Sequence, residues 1–176
     1  MKRIFLIGYM GAGKTTIGKQ LAGQMNLIFI DLDHHIEARY HRTISELFAE
    51  KGEEAFRDIE RRMLHEVSMF ENVLISTGGG APCFFDNMEF MNSVGETVYI
   101  KVSPPELVNR LDMVRQTRPV LSGRRGNELL TFVTESLEVR KPFYEQASII
   151  FEAEAMLNDS DVSTLVYELE KILLVN

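Results

Sequence analysis

The sequence predicts a single α/β domain in which helices cover both faces of a parallel β-sheet. Short apolar runs recur along the chain at 4–7, 27–30, 73–75, 98–102 and 149–151. Several are rich in β-branched residues and do not alternate with polar ones, a pattern typical of strands buried on both faces. Stretches with helical spacing of apolar residues separate these runs. Strand–helix alternation on this scale indicates a parallel sheet with helices on both sides.

Apolar stripes with spacings of three and four predict five helices between and after these strands. The stripes are formed by Ile17, Leu21 and Met25; by Phe56, Ile59, Met63, Val67 and Phe70; by Leu107, Leu111 and Val114; by Leu129, Val133 and Leu137; and by Val162, Leu165 and Leu169. The third stripe follows Pro104 and Pro105, which suit the first turn of a helix. Because no repeat, low-complexity tract or linker divides the chain, we expect residues 1–176 to form one domain.

Composition excludes several classes of function. A hydrophobic fraction of 45% and a charged fraction of 26% are typical of a soluble globular protein of 176 residues. The net charge of −7 argues against a general nucleic-acid surface, and the first apolar run is too short for a signal peptide or a membrane span. Cys83 is the only cysteine, so no internal disulfide is possible and a reducing cytoplasm is expected. We interpret Cys83 as a small packed residue rather than a reactive thiol.

The strongest motif lies directly after the first predicted strand. The segment Gly8-Tyr9-Met10-Gly11-Ala12-Gly13-Lys14-Thr15 fits the phosphate loop Gly-x-x-x-x-Gly-Lys-[Ser/Thr]. Its glycines permit left-handed torsions, and the N–H groups of the helix that starts near Lys14 can face an anion. Lys14 is expected to reach the β- and γ-phosphates and the Thr15 hydroxyl to hold Mg²⁺. An ordinary glycine-rich turn is a much weaker alternative, so the chain is predicted to bind a nucleoside triphosphate.

Two carboxylates follow the second predicted strand. Asp31 and Asp33 lie where open α/β sheets place ligand groups. One of them could cap a helix that starts near His34. A cap needs only one acid, and alternate strand residues point to the same side, so Asp31 and Asp33 are expected to act together in the crevice beside the phosphate loop.

A polar, glycine-rich segment follows the third predicted strand. Ser76 takes the place where phosphate-loop enzymes usually carry an acid that organises Mg²⁺, which leaves Asp31 as the expected metal-organising group. The glycines Gly78, Gly79 and Gly80 could form a loose turn, but beside a phosphate site they also let a small substrate touch the backbone.

The arginines fall into two groups. Arg57 lies at the edge of its helix stripe, where Glu60, one turn on, could orient the guanidinium; a solvated helix charge is the alternative for Arg57 taken alone. The segment from Arg115 to Gly126 carries Arg115, Arg118, Arg124 and Arg125 and is broken by Pro119, Gly123 and Gly126. A basic, glycine-hinged loop in an acidic protein fits a lid that closes over the triphosphate. Arg140 lies before Pro142 near the end of the next helix, where compensation of the helix dipole is the simple explanation.

Taken together, these motifs resemble those of the shikimate kinase family over nearly the whole chain. The matching segments are the phosphate loop extended to Thr16; Asp31-Leu32-Asp33; Gly52-Glu53-Glu54-Ala55-Phe56-Arg57 with Glu60; Gly78-Gly79-Gly80; Arg118-Pro119-Val120-Leu121; and Arg140-Lys141-Pro142-Phe143-Tyr144. The resemblance implies a monomeric domain of the nucleoside-monophosphate-kinase type with sheet order 2-3-1-4-5, a mobile lid at about 112–126 and a helical substrate-binding region at about 33–62. It also implies transfer of the ATP γ-phosphoryl group to the 3-hydroxyl of shikimate, on the route to chorismate and aromatic amino acids.

The resemblance assigns roles residue by residue. Asp33 resembles the acid that holds the ring hydroxyls and is a candidate to accept the proton, and Arg57 and Arg140 resemble the pair that grips the carboxylate. Gly79, flanked by Gly78 and Gly80, resembles the backbone contact to the substrate. The nucleotide contacts implied are Gly11, Ala12, Gly13, Lys14, Thr15, Thr16, Arg110 and Arg118, with Lys14 and Arg118 neutralising charge during transfer and Thr15 with Asp31 forming the Mg²⁺ shell. Forked guanidinium groups suit a carboxylate, which agrees with these roles.

Some interpretations stay open at this point. Phe48 and Phe56 could wall the substrate ring or belong to the core. The adenine-stacking position before the lid could be Arg110 or Leu111. Gluconate kinase and nucleoside monophosphate kinase are alternative activities, since a hydroxy acid such as gluconate also suits two arginines and an aspartate. A kinase-like binding module without catalysis is a weaker alternative, because Lys14, the aspartates and the lid arginines are all present.

Overall fold

The structure, a computed structural model, describes residues 2–113, 124–154, 156 and 158–175 and is built on a five-stranded sheet. The strands are β1 Arg3–Ile7, β2 Ile28–Asp31, β3 Val73–Ser76, β4 Glu96–Lys101 and β5 Ile149–Glu152. They lie in the order β2-β3-β1-β4-β5, and every neighbouring pair is parallel. The predicted strands and the sheet order implied by the resemblance are therefore confirmed.

Helices fill the connections between the strands. In the described ranges they are α1 Lys14–Gln24, α2 Leu32–Tyr40, α3 Ile44–Val67, α4 Asn87–Val94, α5 Pro104–Met113, α6 Gly126–Tyr144 and α7 Asp159–Val175, with a short 3₁₀ turn at Ala81–Cys83. The five predicted helices correspond to α1, α3, α5, α6 and α7. Helix α2 corresponds to the helix expected to start near His34, but it begins at Leu32, directly after β2. Helix α4 was not predicted, because it is only eight residues long. None of the helices in the described ranges is long and apolar enough to cross a membrane.

Helix α3 differs from its prediction at both ends. It begins at Ile44, where Thr43 and Glu46 form a capping box, and it breaks at Gly52, whose φ of 79° is left-handed. It ends at Val67, so Phe70, which was assigned to its apolar stripe, lies beyond the helix and is 46% exposed. The break at Gly52 separates a short helical arm from the long segment that carries Arg57 and Glu60.

The order of the strands determines where the helices and the crevice lie. The chain crosses the sheet in one direction from β1 to β2 and then in the other direction from β2 through β3 and β4 to β5. Because connections between parallel strands are right-handed, helices of the two directions lie on opposite faces of the sheet. The neighbouring strands β1 and β3 therefore lead into helices on opposite faces, and such a switch opens a crevice at the carboxyl ends of the two strands. The phosphate loop begins at this end of β1.

The core is concentrated around the central strands. The side chains of residues 4–7 in β1 and all four residues of β3 are buried, as predicted for strands covered on both faces. The same prediction is wrong for the two edge strands. Ile28 in β2 is 60% exposed and Ile150 in β5 is 48% exposed, because an edge strand has helices over only part of its surface.

Candidate active site

A cleft of about 750 Å³ opens at the carboxyl ends of β1, β2 and β3. Its walls come from the phosphate loop, the β2–α2 junction and the segment after β3, which are distant in sequence. The lining residues include Gly11, Gly13, Lys14, Thr15, Thr16, Asp31, Asp33, Ser76, Thr77, Gly78, Gly79 and Arg110. The fold therefore brings most of the predicted nucleotide, metal and substrate residues into one cavity, at the switch point where open α/β sheets bind ligands.

The phosphate loop has the backbone shape that its glycines predict. Gly8, Gly11 and Gly13 have φ values of 141°, 81° and 94°, in the region that side chains strongly disfavour. Helix α1 begins at Lys14 with Gly13 as its N-cap, and neither a capping side chain nor an acid in the first turn satisfies its N–H groups. Those N–H groups and the positive end of the helix dipole remain available to an anion in the cleft.

The side chain of Lys14 folds back over the phosphate loop. Its side chain is buried, and its ammonium donates to the carbonyl oxygens of Gly8 and Tyr9 at 2.8 and 2.9 Å. These contacts keep the charge at the mouth of the phosphate loop rather than in solvent. A cation placed there can exchange its carbonyl partners for phosphate oxygens.

Thr15 and Asp31 meet at the floor of the cleft. The Thr15 hydroxyl donates to Oδ2 of Asp31 at 2.8 Å, while Oδ1 of Asp31 accepts the backbone N–H of His34 at 3.3 Å. Asp31 therefore caps α2 and faces the phosphate site with the same carboxylate. Ser76 lies opposite Asp31 in the β2–β3 register, as expected if Asp31 replaces an acid at the end of β3. Hard oxygen donors of this kind, together with phosphate oxygens and water, fit Mg²⁺.

Asp33 reaches the cleft by a different route from the one predicted. It lies in the first turn of α2, which begins at Leu32, so it does not share a strand face with Asp31 and the expectation based on strand alternation is wrong. Its side chain still points at the glycine segment: a Cβ built on Gly78 would lie 2.8 Å from Oδ1 of Asp33 and 2.9 Å from Oε1 of Glu60. A larger residue at Gly78 would collide with both carboxylates.

Arg57 and Arg140 converge on the same stretch of backbone. A Cβ built on Gly80 would lie 2.5 Å from Nη2 of Arg57, and one built on Gly79 would lie 3.4 Å from Nη1 of Arg140. The two guanidinium groups come from α3 and α6, and they lie on consecutive residues of the glycine segment. Asp33, Gly78 and Gly79 line the cleft, whereas Arg57, Gly80 and Arg140 are not among its lining residues. A common pocket for the two arginines stays a prediction.

Arg57 is held by a carboxylate and three aromatic rings. Its Nη1 donates to Oε2 of Glu60 at 2.7 Å, and the centroids of the Phe48, Phe56 and Phe84 rings lie 5.4, 5.3 and 4.2 Å from its guanidinium carbon. Phe56 is 1% exposed and belongs to the core, and Phe48 packs against it with ring centroids 4.2 Å apart. These rings support Arg57 from the core side, which favours the core interpretation over a wall for the substrate ring. Phe84 was not predicted, since nothing in the local pattern relates it to Arg57.

Glu60 is buried in spite of its charge. It is 1% exposed, and burial raises its pKa from 4.5 to about 7, against the opposing influence of the Arg57 guanidinium. Desolvation penalises the ionised carboxylate more strongly than the neighbouring cation stabilises it. The protonation of Glu60 therefore changes near neutral pH.

This pKa predicts a pH-dependent stability. Because the pKa of Glu60 is higher in the folded chain than in the unfolded chain, the folded state binds the extra proton, and its stabilising effect is complete below pH 4.5 and lost as the pH rises through about 7. At 1.36 kcal/mol per pH unit this loss is about 3 kcal/mol. Urea titrations at several pH values should show the free energy of unfolding of wild type falling over this range relative to Glu60→Gln.

Glu53→Gln is the matched control for this titration. Glu53 also contacts Arg57, at 3.5 Å, but its side chain is 61% exposed. We expect Glu53→Gln to follow the wild-type pH dependence. A wild-type profile parallel to that of Glu60→Gln would contradict the assignment.

Two buried tyrosines next to Arg140 were not predicted. The guanidinium of Arg140 lies over the ring of Tyr9 at 5.0 Å from its centroid, and the hydroxyl of Tyr144 donates to the carbonyl oxygen of Gly79 at 2.5 Å. Tyr144 is four residues after Arg140, a spacing that places both on one helix face. That signal was available in the sequence, which placed Arg140 near the end of its helix; α6 includes Pro142 and continues to Tyr144.

Arg110, which precedes the predicted lid segment, faces the cleft. Its side chain donates to the carbonyl oxygens of Ala12, Ala153 and Glu154 at 3.2, 2.7 and 2.8 Å. Leu111 is fully buried beneath Gly11. Between the two open candidates for the nucleotide contact, only Arg110 lines the cleft.

The lid prediction falls largely outside the described residues. Arg115 and Arg118 lie within 114–123, which the structure does not describe. Of the remaining lid arginines, Arg124 lies over the Phe132 ring at 4.2 Å and Arg125 precedes α6. The lid and the role of Arg118 stay predictions.

Cys83 is half-buried at the end of the 3₁₀ turn. Burial raises the pKa of its thiol, although Arg140 and Arg57 act in the opposite direction. A thiol of raised pKa is a poor nucleophile, which agrees with the interpretation of Cys83 as a packed residue.

Known proteins of similar sequence and fold cover nearly the whole chain. A family model described as "Shikimate kinase" matches residues 10–170. The chain is 66% identical over 173 residues to the shikimate kinase of Parabacteroides distasonis, covering 98% of this chain and 100% of that protein. The crystal structure of shikimate kinase from Bacteroides thetaiotaomicron has a TM-score of 0.95 at 54% identity, covering 98% of both chains. Shikimate kinase from Acinetobacter baumannii in complex with shikimate has a TM-score of 0.85 at 30% identity, covering 100% of this chain and 94% of that one.

Proposed function

Because this chain belongs to the shikimate kinase family, we propose that it transfers the γ-phosphoryl group of ATP to the 3-hydroxyl of shikimate, forming ADP and shikimate 3-phosphate. One observation of the site carries the proposal. Arg57 and Arg140 lie against the consecutive glycines Gly80 and Gly79, and Gly79 lines the cleft that also contains the phosphate loop. A small hydroxy acid fits between the arginines and this loop, with its carboxylate on the arginines and its hydroxyl toward the phosphates.

The arginine end would bind the part of the substrate that does not react. Guanidinium groups can form paired hydrogen bonds with a carboxylate, and Arg57 is already fixed by Glu60 at 2.7 Å. Anchoring the acid remotely places the attacking hydroxyl in line with the γ-phosphorus. Such positioning can lower a barrier by roughly 7–11 kcal/mol at best.

The phosphate end would neutralise the charge that spreads over the transferring group. Lys14 would exchange its contacts with the Gly8 and Tyr9 carbonyls for phosphate oxygens, and Arg110 would contact the nucleotide at the edge of the cleft. Arg118 would act from the lid. Thr15 and Asp31 would hold Mg²⁺, which when bound supplies further positive charge to the phosphates.

Asp33 would orient the attacking hydroxyl at Gly78. Its carboxylate lies beside that glycine, between the arginine end and the phosphate loop, and it can accept a hydrogen bond from a substrate hydroxyl. In the same position it can take the proton that the hydroxyl loses. The backbone of Gly79 and its neighbour Gly80 would contact the ring side of the substrate.

Three further features belong to the proposal. The chain would act as a monomer, in the cytoplasm, and as one domain of residues 1–176 with a lid at about 112–126 and a substrate-binding helical region at about 33–62. Neither nucleic acid nor a membrane would take part. The net charge of −7 supports the first of these absences.

An assay of ADP release with parallel acceptors tests the activity. We expect ATP- and Mg²⁺-dependent turnover with shikimate and little with gluconate or AMP, because the chain belongs to the shikimate kinase family. ADP release is followed by coupling to an enzyme that consumes ADP. Turnover confined to gluconate or AMP would replace the proposal with one of the two alternative kinase activities.

A further inference from the structure

We propose that Tyr144 is a positioning residue that holds the Arg140 guanidinium and the Gly79 backbone in one fixed arrangement for the acid substrate. This inference rests on the proposed function. Tyr144 lies outside the cleft lining and outside the residues to which binding or catalysis was assigned above. It would act through Arg140 and Gly79 rather than by touching the substrate.

The buried hydroxyl of Tyr144 donates a hydrogen bond to the backbone of Gly79. The residue is fully buried, and its O–H donates to the carbonyl oxygen of Gly79 at 2.5 Å across 65 positions of sequence. Its ring packs on Tyr99 of β4 with centroids 5.0 Å apart, which fixes the phenol to the sheet. A buried hydroxyl that donates in one direction leaves its oxygen lone pairs for a donor on another side.

Arg140 lies close to this hydroxyl. It precedes Tyr144 by one turn on the same face of α6, and its charge lowers the pKa that burial of the phenol raises. The guanidinium of Arg140 also lies over the Tyr9 ring, at 5.0 Å from the ring centroid. The Tyr144 hydroxyl thus lies near a cation and donates to the Gly79 carbonyl oxygen.

Gly79 extends this contact to the phosphate loop. A Cβ built on Gly79 would lie 3.3 Å from the Gly8 carbonyl oxygen, 3.3 Å from the Met10 nitrogen and 3.4 Å from Nη1 of Arg140. The backbone of Gly79 is therefore packed between the phosphate loop and the guanidinium group of Arg140. By its hydrogen bond to the Gly79 carbonyl, the Tyr144 hydroxyl sets the distance between the phosphate loop and Arg140.

The test is Tyr144→Phe, which removes the hydroxyl and keeps the ring. The Gly79 carbonyl then loses its buried donor beside Arg140, and we expect the KM for shikimate to rise about tenfold. The KM for ATP should stay within about twofold of wild type, since the phosphate contacts do not depend on this hydroxyl. Thermal unfolding of each variant separates this effect from a loss of stability.

Tyr99→Phe is the matched control. Tyr99 is also buried and packs on the same ring, but the hydrogen bond to the Gly79 carbonyl comes from Tyr144. We expect Tyr99→Phe to leave the KM for shikimate within about twofold of wild type. In an Arg140→Ala background, Tyr144→Phe should raise this KM by a clearly smaller factor, because the residue it positions is gone.

The outcomes separate this inference from the proposed function. A wild-type protein that does not phosphorylate shikimate overturns both. If wild type is active, then an unchanged KM for shikimate in Tyr144→Phe, with or without a lower melting temperature, overturns the positioning role alone. Equal factors in the wild-type and Arg140→Ala backgrounds also overturn it, since Tyr144 would then act independently of Arg140.

Discussion

Replacing Lys14 by alanine is expected to lower kcat by at least about 100-fold with any acceptor substrate. The Lys14 ammonium lies at the mouth of the phosphate loop. There it is the cation best placed to neutralise the negative charge that develops on the β- and γ-phosphates during transfer. Phosphoryl transfer depends chiefly on positioning and on charge neutralisation, so no other described side chain can replace this contribution within the loop. Steady-state kinetics at saturating ATP and shikimate measure the effect.

Lys19→Ala is the matched control for that substitution. Lys19 belongs to the same helix, α1, but is exposed on its outer side. It should leave kcat and both KM values close to those of wild type. Circular dichroism and thermal unfolding of the Lys14→Ala protein establish that the loop variant is folded. A folded Lys14→Ala enzyme with near-normal turnover would remove the phosphate-loop assignment.

Replacing Arg140 by alanine is expected to raise the KM for shikimate by about 30-fold or more, and the KM for ATP far less. Removing one partner of a buried, hydrogen-bonded charge pair weakens binding by on the order of 2–5 kcal/mol. Part of this free energy is the penalty of leaving the substrate carboxylate without a partner. Because the substrate carboxylate does not change during the reaction, Arg140 binds ground state and transition state about equally, and kcat should be spared. The measurement is a matrix of initial rates over both substrates.

Lys141→Ala controls for the loss of a positive charge at this end of α6. Lys141 is the next residue along the helix, and its side chain is 55% exposed and pairs with Glu145 at 3.9 Å. Its removal changes the net charge by the same amount without touching the glycine segment. If Lys141→Ala and Arg140→Ala raise the KM for shikimate equally, the effect is one of general charge and Arg140 does not bind the acid.

Local motifs were predicted well because their physics is local. The phosphate loop needs contiguous glycines, a strand before it and a helix after it, and all of these are written in one stretch of sequence. The strand positions follow from apolar runs in the same way. The predictions were less accurate for the edge strands β2 and β5, because the exposure of their side chains depends on what packs alongside.

The sequence by itself determined the α/β class and the phosphate loop, and it predicted the charged residues of the site. Only the tertiary structure decided how those residues are supported: Asp33 projects from a helix, Phe84 covers Arg57, and Tyr144 reaches Gly79. The physical reason is separation along the chain. A hydrogen bond between residues 65 positions apart has no local pattern, and it exists because the sheet order brings α6 back beside the end of β3.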